Sequence, residues 1–178
     1  GCLMLGYYKE PELSAAAFTA DGWLHTGDKG ALEPDGWMRI TGRVKDLFKT
    51  SKGKYVAPAP IEDKLVTNPA VEACCVVGAN YPQPFAMLML NEDAAARARD
   101  PAGRAALEDA MANHLMTVNH GLDPHEQLEA LILMTEPWTV ENGLITPTFK
   151  VKRNVLETRY VANFDKWTSG GSKIVWAG

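Results

Sequence analysis

Three clusters of charged residues and glycines could bind a sugar or a phosphate. The first is the run His25-Thr26-Gly27-Asp28. A carboxylate at the end of a glycine turn can accept two hydrogen bonds from a diol, as acidic residues do with the hydroxyls of ribose. A hairpin turn with a capping aspartate gives the same short pattern, and taken alone the run favours that simpler interpretation.

The second and third clusters are basic. Residues 42–55 form a lysine-rich loop in which Arg43 offers a fork of donors to a diol or phosphate. A solvated basic loop is the alternative interpretation. The third cluster, residues 147–153, places Lys150 on a turn just before a predicted helix. Positive charge near a helix N-terminus opposes the helix dipole, and this conflict favours a functional role over an ordinary helix start.

Turns and short strands carry the first cluster. Asp21-Gly22-Trp23 and Asp35-Gly36-Trp37 each indicate an Asp-Gly turn followed by a strand-forming aromatic residue. A small twisted antiparallel sheet is therefore expected, and it is too short to close a core of its own. Residues 1–44 are predicted to be the β-rich end of a larger N-terminal domain, with the boundary at residues 44–46.

The remainder of the chain, residues 45–178, alternates strands with helices. This pattern predicts an α+β fold, a small C-terminal domain with a short antiparallel sheet flanked by helices. Apolar runs and helical periodicity indicate strands at 71–77, 85–90 and 131–134, and helices at 61–66, 94–118 and 153–161.

Composition narrows the function classes. A hydrophobic fraction of 46% argues against a disordered chain, and a net charge of −4 gives no reason to expect a nucleic acid partner. The chain has no apolar run near the roughly 20 residues of a membrane span, and its start lacks the basic region of a signal peptide. Cys2, Cys74 and Cys75 indicate reduced thiols in a cytosolic protein, and no Cys/His spacing predicts a metal site.

Together and in this order, the three clusters resemble the C-terminal motifs of the adenylate-forming superfamily. That superfamily includes acyl-CoA synthetases, luciferases and the adenylation domains of peptide synthetases. The resemblance extends from Gly6-Tyr7-Tyr8-Lys9 to Arg153. Within it, residues 49–58 (KTSKGKYVAP) and 146–150 (TPTFK) look like the long-chain fatty acyl-CoA synthetase branch.

The resemblance implies an ATP-dependent long-chain fatty acid–CoA ligase. A fatty carboxylate would attack the α-phosphate of ATP to give acyl-AMP and pyrophosphate, and the thiol of CoA would then displace AMP. ATP, CoA and a fatty acid are the implied substrates, and Mg²⁺ would be held by the larger N-terminal domain. Since this chain corresponds to the lid and hinge of such an enzyme, we expect it to be inactive alone.

The resemblance also implies roles for individual residues. Asp28 and Arg43 would hold the ribose of ATP, and Lys45 would be the hinge about which the C-terminal domain rotates. Other members often have aspartate at that hinge. Lys150 would bridge the carboxylate and the α-phosphate, with Lys152 its nearest competitor, although Phe149 precedes it where glycine is usual elsewhere in the superfamily.

Gly53 and its neighbour Lys52 match the loop that lines the pantetheine channel after rotation. The rival interpretations are an aryl-CoA ligase, a fatty acyl-AMP ligase that passes its product to a carrier protein, and a non-catalytic binding module that reuses the domain. The expected location is the cytoplasm, with peripheral contact at the inner face of the membrane as one route to a lipid substrate. The sequence predicts no particular oligomeric state.

Overall fold

The chain divides into two compact units. The first ends at Asp46, and the second begins at Leu47. The computed structural model describes residues 2–177. That the first unit is the end of a larger domain stays a prediction. That the second unit is a mobile lid also stays a prediction. Each unit is therefore described by itself.

The first unit consists of a short helix and a β-hairpin joined by turns. Helix α1 spans Pro11–Ala16, and strands β1 (Asp28–Leu32) and β2 (Met38–Arg43) pair in antiparallel orientation. Both predicted Asp-Gly turns are present. Their glycines, Gly22 and Gly36, have φ angles of 89° and 87°, a conformation that glycine adopts without steric cost.

The β1–β2 hairpin carries a bulge close to its open end. Asp28 lies opposite Arg43, and the register then shifts by one residue beyond Lys29. Within the ladder of residues 28–32 and 38–43, Thr41 is the residue without a Cα partner, and its hydroxyl donates to the carbonyl of Lys29 at 3.2 Å. Such an extra residue increases the local twist of the strands.

The second unit has the predicted α+β fold. A small hairpin precedes a four-stranded sheet, and helices pack on both faces of that sheet. In chain order the elements are β3 (Phe48–Lys49), β4 (Tyr55–Val56), α2 (Pro58–Leu65), β5 (Val71–Val77), β6 (Phe85–Leu90), α3 (Glu92–Arg97), α4 (Pro101–His120), β7 (Leu131–Met134), α5 (Arg153–Tyr160), α6 (Phe164–Ser169) and β8 (Ile174–Ala177).

The larger sheet has the strand order β5-β6-β7-β8 and is mixed rather than antiparallel throughout. Only its β5–β6 pair is antiparallel, while β6–β7 and β7–β8 are parallel. The reason lies in the connections. A short loop joins β5 to β6, whereas helices lie between β6 and β7 and between β7 and β8, and parallel neighbours need such crossovers.

Both faces of the sheet are buried. Val76 and Leu88 point into a cluster that includes side chains of α2 and α4, and Val77 and Met87 point into a second cluster with α5 and α6. Burial on both faces explains why the strands read as continuous apolar runs instead of alternating ones.

The single helix predicted at 94–118 is two helices. Helix α3 ends at Arg97 and α4 begins at Pro101. Proline disfavours the helical conformation of the residue before it but suits the first helical position. Asp100 caps α4 by accepting a hydrogen bond from the backbone N–H of Gly103 at 3.0 Å.

Candidate functional site

Asp28 and Arg43 are brought together by the β1–β2 hairpin. They are direct cross-strand partners, and the Arg43 Nε lies 3.3 Å from Asp28 Oδ1. The carboxylate can accept hydrogen bonds from hydroxyls, and the guanidinium retains donors beyond Nε. Two such groups side by side can recognise a diol, whose hydroxyls donate to the carboxylate and accept from the guanidinium. Both side chains are partly exposed, so the pair itself contributes little stability.

A cavity of about 410 Å³ lies beside this pair within the first unit. Its polar wall includes residues 25–27, Arg43 and Lys45. The remaining wall includes Tyr7 and Leu13. The strand ends are held by a hydrogen bond of 2.9 Å from the Val44 N–H to the carbonyl of Gly27. The first cluster and Arg43 of the second therefore share one concave surface.

Lys45 occupies a short 3-10 turn, Val44–Asp46, directly after β2. It lines the same cavity as Arg43, and its side chain is exposed. The first compact unit ends one residue later, at Asp46.

Gly53 and Lys52 lie in the tight turn between β3 and β4, which we name the glycine turn (residues 50–54). Gly53 has a φ of 77° and donates to the carbonyl of Thr50 at 2.9 Å. The Thr50 side chain is buried and exchanges hydrogen bonds with the backbone of Lys54. Lys52 points outward, and its Nζ lies 3.4 Å from the side-chain oxygen of Gln83.

Lys150 is the last residue of a second tight turn, which we name the lysine turn (residues 146–150). Its carbonyl accepts from the Thr146 N–H at 2.8 Å, and its own N–H donates to the Thr146 hydroxyl at 3.0 Å. The turn closes between Ile145 and Val151, which form an isolated antiparallel bridge. The exposed Lys150 side chain therefore projects from a backbone that is already fixed.

An ion pair between Glu62 and Arg153 supports this region. Arg153 is the first residue of α5, and its Nη2 lies 2.7 Å from Glu62 Oε1. The same carboxylate oxygen accepts from the buried N–H of Val76 at 2.7 Å. Arg153 also donates to the carbonyl of Val76. These contacts join α2, β5 and the start of α5, three residues after Lys150.

For one residue of the third cluster, Arg153, the structure explains the charge conflict. Arg153 sits at the unfavourable end of the helix dipole, and the carboxylate of Glu62 compensates its charge. No local pattern predicts this partner, because 91 residues separate Glu62 from Arg153.

Comparison with known proteins places the chain in a family. Residues 45–167 match the family described as AMP-binding enzyme C-terminal domain, and the chain belongs to that family. The predicted resemblance to adenylate-forming enzymes is thereby confirmed. Within residues 2–177, no helix is long and apolar enough to cross a membrane.

Curated relatives match almost the whole chain. The long-chain-fatty-acid–CoA ligase FadD15 of Mycobacterium tuberculosis is 31% identical over 181 residues, which cover 93% of this chain and 29% of that protein. The human long-chain-fatty-acid–CoA ligase 1 is 33% identical, with coverages of 90% and 25%. The chain thus spans less than a third of the length of these relatives.

Solved structures give a similar result. The adenylation domain of a carboxylate reductase from Mycobacterium chelonae has a TM-score of 0.78 at 30% identity, covering 91% of this chain and 25% of that one. The A domain of a carboxylic acid reductase from Segniliparus rugosus, in complex with AMP and a co-purified carboxylic acid, has a TM-score of 0.77 at 28% identity, with coverages of 96% and 27%.

Proposed function

We propose that the protein to which this chain belongs is an ATP-dependent long-chain fatty acid–CoA ligase. It would convert a fatty acid, ATP and CoA into acyl-CoA, AMP and pyrophosphate through an acyl-AMP intermediate. The chief support is the similarity to long-chain ligases along almost the whole chain. A Mg²⁺ ion accompanying ATP would be bound by the part of the protein outside this chain, and peripheral membrane contact would give access to the lipid.

Asp28 and Arg43 would bind the ribose of ATP. Their side chains meet across the hairpin at 3.3 Å, so hydroxyls of the sugar could donate to the carboxylate and accept from the guanidinium. Lys45 lies two residues after Arg43 and one residue before Asp46, where the first compact unit ends. This position supports its proposed role as the hinge.

Lys150 would stabilise negative charge on the α-phosphoryl group while the fatty carboxylate attacks. Phosphoryl transfer depends on positioning and electrostatic stabilisation more than on covalent chemistry by the protein. The lysine turn is fixed by Thr146 before any substrate binds, so little reorganisation would be needed when the ammonium group reaches the phosphate.

Gly53 and Lys52 would line the pantetheine channel in the second half-reaction. An added Cβ at Gly53 would meet only Lys49 Cε at 3.7 Å, which is an ordinary contact. The φ of 77° is therefore the local reason for glycine, since a side chain in that conformation would strain the turn.

The two half-reactions can be assayed separately in the full-length protein. Lys150→Ala should lower palmitate-dependent ATP–pyrophosphate exchange about 100-fold or more, because one preorganised charge is lost from the transition state. Thioester formation from supplied palmitoyl-AMP should be largely retained, since the lysine turn leaves the site before that step. Lys152→Ala, in the same cluster, is the matched control and should keep both activities. Equal loss in both half-reactions would contradict the assignment of Lys150.

A thiol on a carrier protein is the second candidate acceptor. The observation that favours it is the likeness to carboxylic acid reductases, one of which was solved as an A-PCP didomain. Supplying the full-length protein with palmitate, ATP and either CoA or a phosphopantetheinylated carrier protein distinguishes the two. Thioester formed on CoA supports the ligase, and thioester formed only on the carrier overturns it in favour of this second candidate.

A further inference from the structure

Phe149 has an unusual backbone conformation. Its φ is 59°, in the left-handed region that residues with a Cβ rarely adopt. Asn80 shares this conformation in the second unit, but asparagine tolerates it better than other residues with a side chain. For an aromatic residue this conformation is strained, because its Cβ comes too close to the following carbonyl oxygen.

The Phe149 ring is also exposed to solvent. At 80% exposure it is the most exposed large apolar side chain described from residue 47 to residue 177, ahead of Met116 at 69%. Phe85 and Phe164 of the same unit are buried and form an edge-to-face pair. Burial within this unit therefore does not offset the backbone strain at Phe149.

The turn itself does not require phenylalanine. The Phe149 N–H donates to the carbonyl of Thr146 at 2.8 Å, a backbone bond that any non-proline residue could make. A residue in the left-handed conformation after a β-turn is ordinarily glycine, which would keep the bond without strain. Phe149, immediately before Lys150, thus combines a strained backbone with an exposed aromatic ring.

We propose that Phe149 shields the acyl-adenylate from water when Lys150 enters the reaction site. This inference rests on the proposed function, because the shielded ligand is the acyl-AMP that the enzyme would form. As the lysine turn approaches the substrate, the ring packs against the bound acyl-adenylate and becomes buried. That contact supplies the burial that the ring lacks in the domain alone.

The reaction prevented is hydrolysis of a mixed anhydride. The oxygen of water would attack the acyl carbonyl carbon, the bond from that carbon to the phosphate oxygen would break, and free fatty acid and AMP would leave. Closing a site over a reactive intermediate prevents this kind of loss by expelling water. An apolar ring next to the lysine that engages the carboxylate is suited to that purpose.

Three substitutions in the full-length protein distinguish the effect of the Phe149 ring from the effect of the backbone strain. Phe149→Gly removes both, Phe149→Ala removes the ring but keeps the strain, and Phe149→Leu keeps an apolar group. With palmitate and ATP but no CoA, AMP release should rise about 10-fold in the glycine and alanine variants and remain near the unaltered level in the leucine variant. The thermal midpoint should rise only in the glycine variant, because glycine relieves the strain.

Met116→Ala is the matched control, since Met116 is another exposed apolar side chain but lies on α4. It should leave AMP release unchanged. If Phe149→Gly and Phe149→Ala retain the unaltered rate of AMP release while pyrophosphate exchange persists, the shielding role is overturned and the proposed function stands. If the unaltered protein shows no palmitate-dependent pyrophosphate exchange, the proposed function is overturned and the shielding role with it.

Discussion

The side chain of Glu62 on α2 connects two other elements of the second unit, strand β5 and the start of α5. One carboxylate oxygen receives the Arg153 guanidinium and the N–H of Val76, a residue with no solvent exposure. Partly buried charges depend on such partners, because removing one leaves the other poorly solvated. The lysine turn ends three residues before Arg153, so this ion pair also helps to fix the position of Lys150.

Glu62→Ala should destabilise the second unit by about 3 kcal/mol, since a charge-assisted hydrogen bond and the acceptor of a buried N–H are both lost. Urea denaturation followed by tryptophan fluorescence measures the change. Glu129→Ala removes the more exposed ion pair with Lys173 and should cost less than about 1 kcal/mol. Equal losses in the two variants would mean that Glu62 contributes no more than a surface pair.

Among the helices and strands of residues 47–177, the junction of α3 and α4 brings the backbone closest to a glycine. A Cβ added to Gly103 would lie 2.2 Å from the carbonyl oxygen of Arg97. The first turn of α4 therefore fits against the end of α3 only because position 103 has no side chain. The Asp100 cap, which bonds the Gly103 N–H, holds the same approach.

Gly103→Ala should consequently destabilise the fold by roughly 1–3 kcal/mol, the usual cost of overpacking. Helix propensity alone predicts the opposite sign, because alanine is favoured over glycine inside a helix. Gly170→Ala is a suitable control. Its added Cβ would meet nothing within 4 Å, so a neutral or slightly stabilising effect is expected there. A stabilising Gly103→Ala in chemical denaturation would rule out the close approach.

Local sequence signals predicted some elements well and others poorly. Strands β5, β6 and β7 begin and end at the predicted residues, because each is an apolar run bounded by turns. Strand β8 was not predicted, because it has only four residues and its pairing partner, β7, lies about 40 residues earlier in the chain. The break before α4 was missed, although Asp100-Pro101 carried the signal.

Prediction of the candidate site shows the same division. The closeness of Asp28 and Arg43 follows from the hairpin register. Two other features had no local signal. The ion pair of Glu62 joins residues far apart in sequence, and the left-handed conformation of Phe149 is contrary to the preference of its residue type.

The two units differ in how far their apolar residues are buried. The buried residues of both hydrophobic clusters lie at Val56 or later within the described chain. Several large apolar side chains of the first unit are more than 70% exposed: Leu5, Tyr8, Trp23, Leu32 and Trp37. An exposed set of this size is typical of a surface that another part of a protein covers.

The 178-residue chain should therefore self-associate and bind a hydrophobic dye, whereas residues 47–178 alone should be monomeric, since they contain both clusters. Size-exclusion chromatography with light scattering measures the oligomeric state, and dye fluorescence reports the exposed apolar surface. A monomeric, dye-free 178-residue chain would contradict this expectation. So would equal dye binding by the shorter chain.

The bulge at Thr41 has a consequence for sequence alignment. Because Thr41 is the residue without a partner in its ladder, a chain lacking it could restore regular pairing and still keep Asp28 opposite Arg43. Loss of one residue from β1 would instead offset the two. Homologous sequences are therefore expected to place single-residue gaps at Thr41, and a gap between Asp28 and Leu32 would signal that the carboxylate has lost its partner.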